Sequence, residues 1–195
     1  MNEQIRLRGY HHGDLRNALK NAARTILEEE GLSTLSLRAV ARKAGVSHAA
    51  PYRHFPNHEA LLVELALEGF AELCADIRCA GATPQPIVDQ ISDIGAAYMR
   101  FVARRPALVR LMFGAQLPHR GSYNELATAA DSVSREIGEA LKDAMLGLAV
   151  WAAVHGLAML ALENVIDLGQ ERSGLDVLPS RAKILLRSLL TVSER

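Results

Sequence analysis

From Leu15 onward, apolar positions recur at spacings of three and four. Leu15, Ala18, Leu19, Ala22, Ala23, Ile26 and Leu27 line one side of a helix that Gly31 ends. Leu37, Val40, Ala41 and Ala44 repeat the spacing over a much shorter stretch. Ser36 stands where a hydroxyl caps the first turn, and Gly45 just past the last periodic residue, where a left-handed C-cap needs it. Ser47 opens a second short helix through His54, with Val46 and Phe55 as apolar pins. Asn57, followed by Glu59, opens a longer helix that carries Leu61, Leu62, Leu65, Ala66, Gly69, Phe70, Leu73 and Ile77 toward Cys79. The breaker Gly81–Pro86 follows, and then Ile87, Ile91, Ile94, Tyr98, Phe101 and Val102 mark a helix stopped at Pro106. A short apolar helix, Leu108–Phe113, precedes a loop from Gly114 to Gly121 that contains Pro118. Ser122 to about Met145 is amphipathic, with Leu126, Ala129, Ala130, Val133, Ile137, Leu141 and Ala144 inward. A helix from Leu146 to about Asp167 and a last one with Pro179 in its first turn, bearing Leu185, Leu186, Leu189 and Leu190, complete the chain. No stretch alternates as a strand would. The pattern predicts an all-α fold of about nine helices, with a small head at 1–56, whose first 13 residues form an arm, and a helical body at 57–195.

Two helices of about two turns joined by a short turn with Gly have helix-turn-helix spacing. Charge supports a nucleic-acid role for the head alone. The whole chain is neutral, with 22 Lys+Arg against 22 Asp+Glu. Residues 1–60 nevertheless hold nine of those basic residues, six of the acidic ones and five of the seven His. A mildly basic head on a mildly acidic body is the result. Arg6, Arg8, Tyr10, His11 and His12 would make a basic arm reaching along DNA, or a frayed terminus.

The stretch AGVSHAAPYRHFPNHEALL resembles the DNA-binding signature of the TetR-type transcriptional regulators, roughly aGvs-x-x-x-x-Y-x-H-F-x-x-K-e-x-L. The match covers the N-terminal helices at close to every pinned position, and the chain length is that of the family. Two positions depart from it. Pro51 replaces a branched apolar residue and removes the second helix's first backbone bond, which shifts its start by one residue. His58 replaces the usual Lys, so one phosphate contact is weaker and depends on pH. The resemblance implies a homodimeric, cytoplasmic regulator, most often a repressor, released from palindromic double-stranded operator DNA by a small-molecule effector. Ser47–His54 would enter the major groove, where His48 and Ala49 read bases and Arg38 joins them from the preceding helix. Ser36, Tyr52, His54 and His58 would hold phosphates, with Ser47 and Arg53 beside them. Ala50 stands where relatives carry a hydroxyl and adds no hydrogen bond.

In the body, W-A-A-V-H-G resembles a Trp-x-x-x-His-Gly motif of one TetR-like subgroup, and the N-terminal GYHHGDLR looks like the same subgroup. In the family the last two helices make a four-helix dimer interface and the middle helices enclose an effector pocket. The motif's helix has two faces. Ala149, Ala152, Ala153, Gly156 and Leu160 lie on one, where small residues let a second backbone approach; with Leu185 and Leu189 they form the expected dimer seam. Trp151, His155, Ala158 and Leu162 lie on the other. Trp151 and His155, with Met99, Met112, Phe113 and Met159, are the expected effector pocket. Ordinary core packing of the same residues is the alternative.

Other chemistry finds little support. Cys74 and Cys79 are five apart, neither a metal pair nor a CxxC motif, and read as small buried hydrophobes in a reducing cytoplasm. The polar N-terminus carries no signal-peptide pattern. Ala144–Leu162 has no formal charge over a length near the ~20 residues that span a bilayer. It is rich in Ala and Gly and holds His155 mid-span, which favours a helix buried on all sides in a soluble protein. HExxH, GxSxG, P-loop and GxGxxG motifs are absent, so no catalytic residue, metal ligand or cofactor is expected. An all-α ligand carrier or enzyme that keeps the head as a structural support is the alternative class.

Overall fold

The computed structural model describes residues 12–115, 117, 123–166 and 175–192, with the side chains of 12–14 and 189–192 excepted. The predicted arm, apart from its last residues, and most of the loop around Pro118 lie outside the described residues. Eight α-helices are present among those described: α1 (His12–Glu30), α2 (Leu37–Lys43), α3 (His58–Gly81), α4 (Ile87–Arg104), α5 (Pro106–Phe113), α6 (Asn124–Leu141), α7 (Ala144–Leu162) and α8 (Leu178–Val192). No strand occurs among them. The chain divides into two compact units, up to Leu65 and from Ala66 on, with α3 continuous through the division.

In the first unit, Leu19, Ala23, Ile26 and Leu27 of α1 are buried, as are Val40 and Ala41 of α2, Phe55, and Leu61 and Leu65 of α3. The caps sit where their residue types demand. Ser36 Oγ accepts the Ala39 N–H at 3.1 Å, and Asn57 Oδ1 accepts that of Ala60 at 2.8 Å. After α2, Gly45 adopts φ 69°, while the Val46 N–H donates to Ala41 O at 3.0 Å and the Gly45 N–H to Arg42 O at 3.2 Å. This paired arrangement satisfies two carbonyls that a helix end leaves open. Arg16 of α1 reaches Glu64 of α3 at 2.7 Å and lies over the Phe55 ring.

The segment from Ser47 to His54 does not form the predicted α-helix. It is a turn followed by one 3₁₀ turn, Pro51–Arg53. The Ala50 N–H donates to Ser47 O at 3.0 Å and the Arg53 N–H to Ala50 O at 3.3 Å, both spanning three residues. Pro51 explains this: it has no N–H to return to Ser47, and its ring disfavours the helical conformation of the residue before it. The eighth α-helix is therefore the last, rather than the ninth.

In the second unit α4 packs along α8, and α6 along α7. The first pair is tied at its rim by Lys183–Asp93 at 2.8 Å and Arg187–Asp89 at 2.9 Å. The second pair is joined by a turn of two residues, Lys142 and Asp143. Asp143 caps α7 by accepting from Met145 and Leu146 N–H. Lys142 holds φ 55°, the left-handed region, where a Cβ is crowded. Lys142→Gly is therefore expected to raise stability by roughly 0.5–1 kcal/mol, the relief of the Cβ less the extra backbone entropy of glycine. A chemical denaturation curve of the variant checks this.

Two sequence expectations fail here. α7 is not buried on all sides: Gly147, Val150, Val154, Ala158, Ala161 and Leu162 face inward, whereas Met145, Leu148, Ala149, Ala152, Gly156 and Leu160 are exposed. Among the described residues, α7 has neighbours along one side only. Cys74 is buried, as expected, but Cys79 is exposed.

Candidate nucleic-acid interface and aromatic cluster

The head brings several of the predicted contact residues together. Ser36, Arg38, Tyr52 and His58 line one surface groove of about 400 Å³ with Leu37, Pro56 and Asn57. Local structure puts them there. Ser36 and Arg38 stand at the start of α2, Tyr52 in the 3₁₀ turn, and His58 in the first turn of α3. Two helix N-termini thus border a groove lined by a guanidinium, an imidazole, a phenol and a hydroxyl. The positive ends of the two helices add to this preference for an anion such as phosphate. Tyr52 is 52% exposed although aromatic, so its ring is not a core pin. Sequence reasoning did not include Pro56 and Asn57 in the groove; the role of Asn57 as a cap already placed it at the helix end.

Ser47, His48 and Ala49 are exposed, Ala50 is half-buried, and Arg53 is exposed. His54 differs from its expected placement in one respect: its Nε2 is enclosed and has no hydrogen-bond partner, so that nitrogen does not face outward. Pro51 and Phe55 are buried on either side. Their burial clamps the turn: the His54 and Phe55 N–H groups both donate to Pro51 O at 2.9 Å.

In the second unit, three of the six residues expected at an effector pocket meet. The rings of Phe113 and His155 have centroids 4.4 Å apart, and those of Phe113 and Trp151 6.4 Å apart. Trp151 and His155 are 6.1 Å apart, one turn along α7. Two residues the sequence had marked only as periodic core complete the cluster. Phe70 of α3 meets Phe113 edge-on at 5.2 Å, and the Tyr98 hydroxyl of α4 pairs with His155 Nδ1 at 2.8 Å. Tyr98 is wholly buried, and burial pushes its phenol well above the usual tyrosine range. The Trp151 N–H pulls slightly the other way on that phenol without attaining hydrogen-bond geometry; its Nε1 is enclosed and without a partner. Met99 and Met112 are fully buried, and Gly69 allows the Met112 sulfur to lie against α3. Met159 is half-buried on the face of α7 shared with Trp151 and His155. Among the described residues no three of His, Cys, Asp and Glu gather as metal ligands would.

A short capped helix, a left-handed Gly link, an exposed turn and a groove lined by hydrogen-bond donors and a guanidinium make up a helix-turn-helix head, and the rest of the described chain is all-helical. Comparison with known proteins places that class. The pattern of the bacterial regulatory proteins of the tetR family matches residues 19–65, and that of the tetracyclin repressor-like C-terminal domain matches 91–175. The chain belongs to the TetR family of transcriptional regulators, whose members are not enzymes. A solved protein of unknown function from Rhodococcus sp. RHA1 is 31% identical, with 93% of this chain and 98% of that one covered and a TM-score of 0.72. A tetR-family regulatory protein from Rhodococcus RHA1 shares the fold at 17% identity, covering 88% and 95%, with a TM-score of 0.68. So does the fatty acid degradation regulator FadR from Bacillus halodurans, at 14% identity, 92% and 98% coverage and a TM-score of 0.69. No curated protein matches.

Proposed function

We propose that this regulator is a cytoplasmic homodimeric repressor that leaves a palindromic operator when a small molecule binds its body. The observation that carries the reading is the convergence of Ser36, Arg38, Tyr52 and His58 on one groove beside the exposed Ser47–Ala49 turn. Phosphate contacts fix register, and the turn reads base edges. The test is salt-dependent binding to DNA upstream of the protein's own gene. Each phosphate contact by a cation makes log affinity fall more steeply with log salt. Arg38→Ala, which removes a guanidinium expected at base edges, is expected to weaken operator binding by about 1–3 kcal/mol and to relax the sequence preference at the base it meets. Tyr52→Phe is expected to weaken binding to all sequences alike, because its hydroxyl meets phosphate and carries no base information. Fluorescence anisotropy over a salt series reads both; unchanged affinity in the two variants would move the interface elsewhere.

The partner surface is supported by α7 and α8. Met145, Leu148 and Leu160 of α7 and Ile184 of α8 are exposed, at 74%, 46%, 43% and 62%. The small residues Ala149, Ala152 and Gly156 lie among them, with Ala153 and Leu185 half-buried at the edge. The side chain of Leu189, the last expected seam residue, lies outside the described residues. A second copy laid on this face by two-fold symmetry removes the apolar surface from water on both sides at once.

The effector reading rests on the cluster of Phe113, Trp151, His155 and Tyr98. Apolar walls with one directional polar pair are the usual makeup of a small-molecule site. Effector binding would change the tilt of α3 and so the spacing of the two heads, through different affinity for two states. Trp151→Ala and His155→Ala are expected to leave operator binding intact and abolish release by a ligand found through thermal-shift screening. If the Trp is simply core, Trp151→Ala should instead cost about 3–5 kcal/mol. Melting curves run beside operator binding separate the outcomes: a large melting drop with normal release in the surviving protein would remove these residues from the pocket.

A further inference from the structure

The reading turn of this chain lacks the side chains that usually discriminate bases. Between Lys43 and Arg53 there is no Arg, Lys, Asn, Gln, Asp or Glu. The pairs that read guanine with Arg and adenine with Asn or Gln are bidentate, and nothing on this turn can make them. What it presents outward is the Ser47 hydroxyl, the His48 imidazole and the Ala49 methyl, with Ala50 half-buried behind. The methyl is held on a fixed backbone. The Ala50 N–H is bonded to Ser47 O, and Pro51 is buried and clamped from below by two N–H donors. The apolar group that projects furthest into the major groove is the C5-methyl of thymine. A side chain that is only a methyl, exposed and rigidly carried, complements that group and offers no hydrogen bond to any base edge.

We infer that Ala49 reads thymine, by burying its methyl against a thymine C5-methyl in each operator half-site. The inference rests on the regulator reading above. It predicts an operator in which one thymine per half-site matters for its methyl group rather than for its hydrogen-bonding atoms.

The test starts from the full-length protein and a pool of random-sequence duplexes, from which the preferred operator is selected. Thymines of one half-site are then replaced singly by deoxyuridine, which keeps every hydrogen-bonding atom and lacks only the methyl. One position is expected to lose about fourfold in affinity, the amount for one methyl-sized group left unburied. At that position a change to cytosine weakens binding, and 5-methylcytosine recovers part of the loss. Ala49→Gly loses about the same factor on the thymine operator and nothing further on the deoxyuridine operator. Because the deoxyuridine series uses the unaltered protein, a folding defect in the variant cannot produce its result. Uniform affinity across that series overturns the readout and leaves Ala49 as a small residue permitting close approach. A loss in Ala49→Gly that is equal on both DNAs overturns it as well. Failure to select any sequence, with no salt-dependent DNA binding, overturns the regulator reading itself and the readout with it.

Discussion

Gly156→Leu is expected to leave the chain folded and to take the proposed dimer apart. A Cβ built on Gly156 meets nothing within 4 Å, so the subunit itself has room for the larger side chain. Only a partner backbone lying against the Ala149–Gly156 stripe would feel it. Overpacking of such a contact costs about 2 kcal/mol, and a two-fold contact repeats the cost on both sides. The dimer dissociation constant should therefore rise roughly a thousandfold. Operator affinity should fall with it, since one head alone holds half the site. Sedimentation equilibrium over a concentration series gives the constant, and circular dichroism of the same samples shows whether the subunit is intact. A dimer that persists unchanged at low concentration would place the seam on another face.

Gly147→Ala is expected to act within the subunit, although it lies on the same helix and adds only one methyl. Its Cβ would meet the Cα and N of Gly138 at 2.5 Å and the Ser134 carbonyl oxygen at 3.0 Å. These are backbone atoms of α6, and they cannot rotate away as a side-chain end can. α6 and α7 must separate, which opens gaps along the pair. The expected loss is about 3 kcal/mol, the upper end of the usual overpacking cost. For a chain of this size it should lower the melting temperature by roughly 10 °C. Dimerisation, measured below that melting point, should be little changed. A melting shift of a degree or less would mean that the two helices are not in contact where the glycines cross.

The parts of this fold that were legible in the sequence are those fixed by single residues acting locally. Ser36, Gly45 and Asn57 cap their helices because a hydroxyl, a missing Cβ and a short amide each solve one backbone problem at one position. Pro106 ends α4 as expected, but it also opens α5, where proline costs nothing, two residues before the Leu108 at which the apolar pattern starts that helix. The helix expected from Ser47 to His54 does not form, because Pro51 does more than delay its start by one residue. Without its N–H the segment is too short to recover a helical ladder before Phe55 turns inward. α6 ends at Leu141, short of the expected Met145, because Lys142 enters the left-handed region without the glycine that would signal it. The burial of α7 departs from expectation for another reason: an uncharged helix looks the same in sequence whether its second side is covered by its own chain or left open. Tyr98 was legible only as core, since its hydroxyl finds His155 across 57 residues of chain.

The two cysteines of α3 give the molecule an unplanned experimental property. Cys74 is enclosed, shares a 3.2 Å contact with the Ser132 hydroxyl, and burial pushes its thiol above the usual range, so it stays protonated and poorly nucleophilic at neutral pH. Cys79 lies five residues further along the same helix and is open to solvent. The folded chain therefore offers a single addressable sulfur near the end of the one helix that runs through both of its units. A maleimide dye or nitroxide placed there without any substitution would report, in the native sequence, how α3 responds when DNA or a small molecule is added.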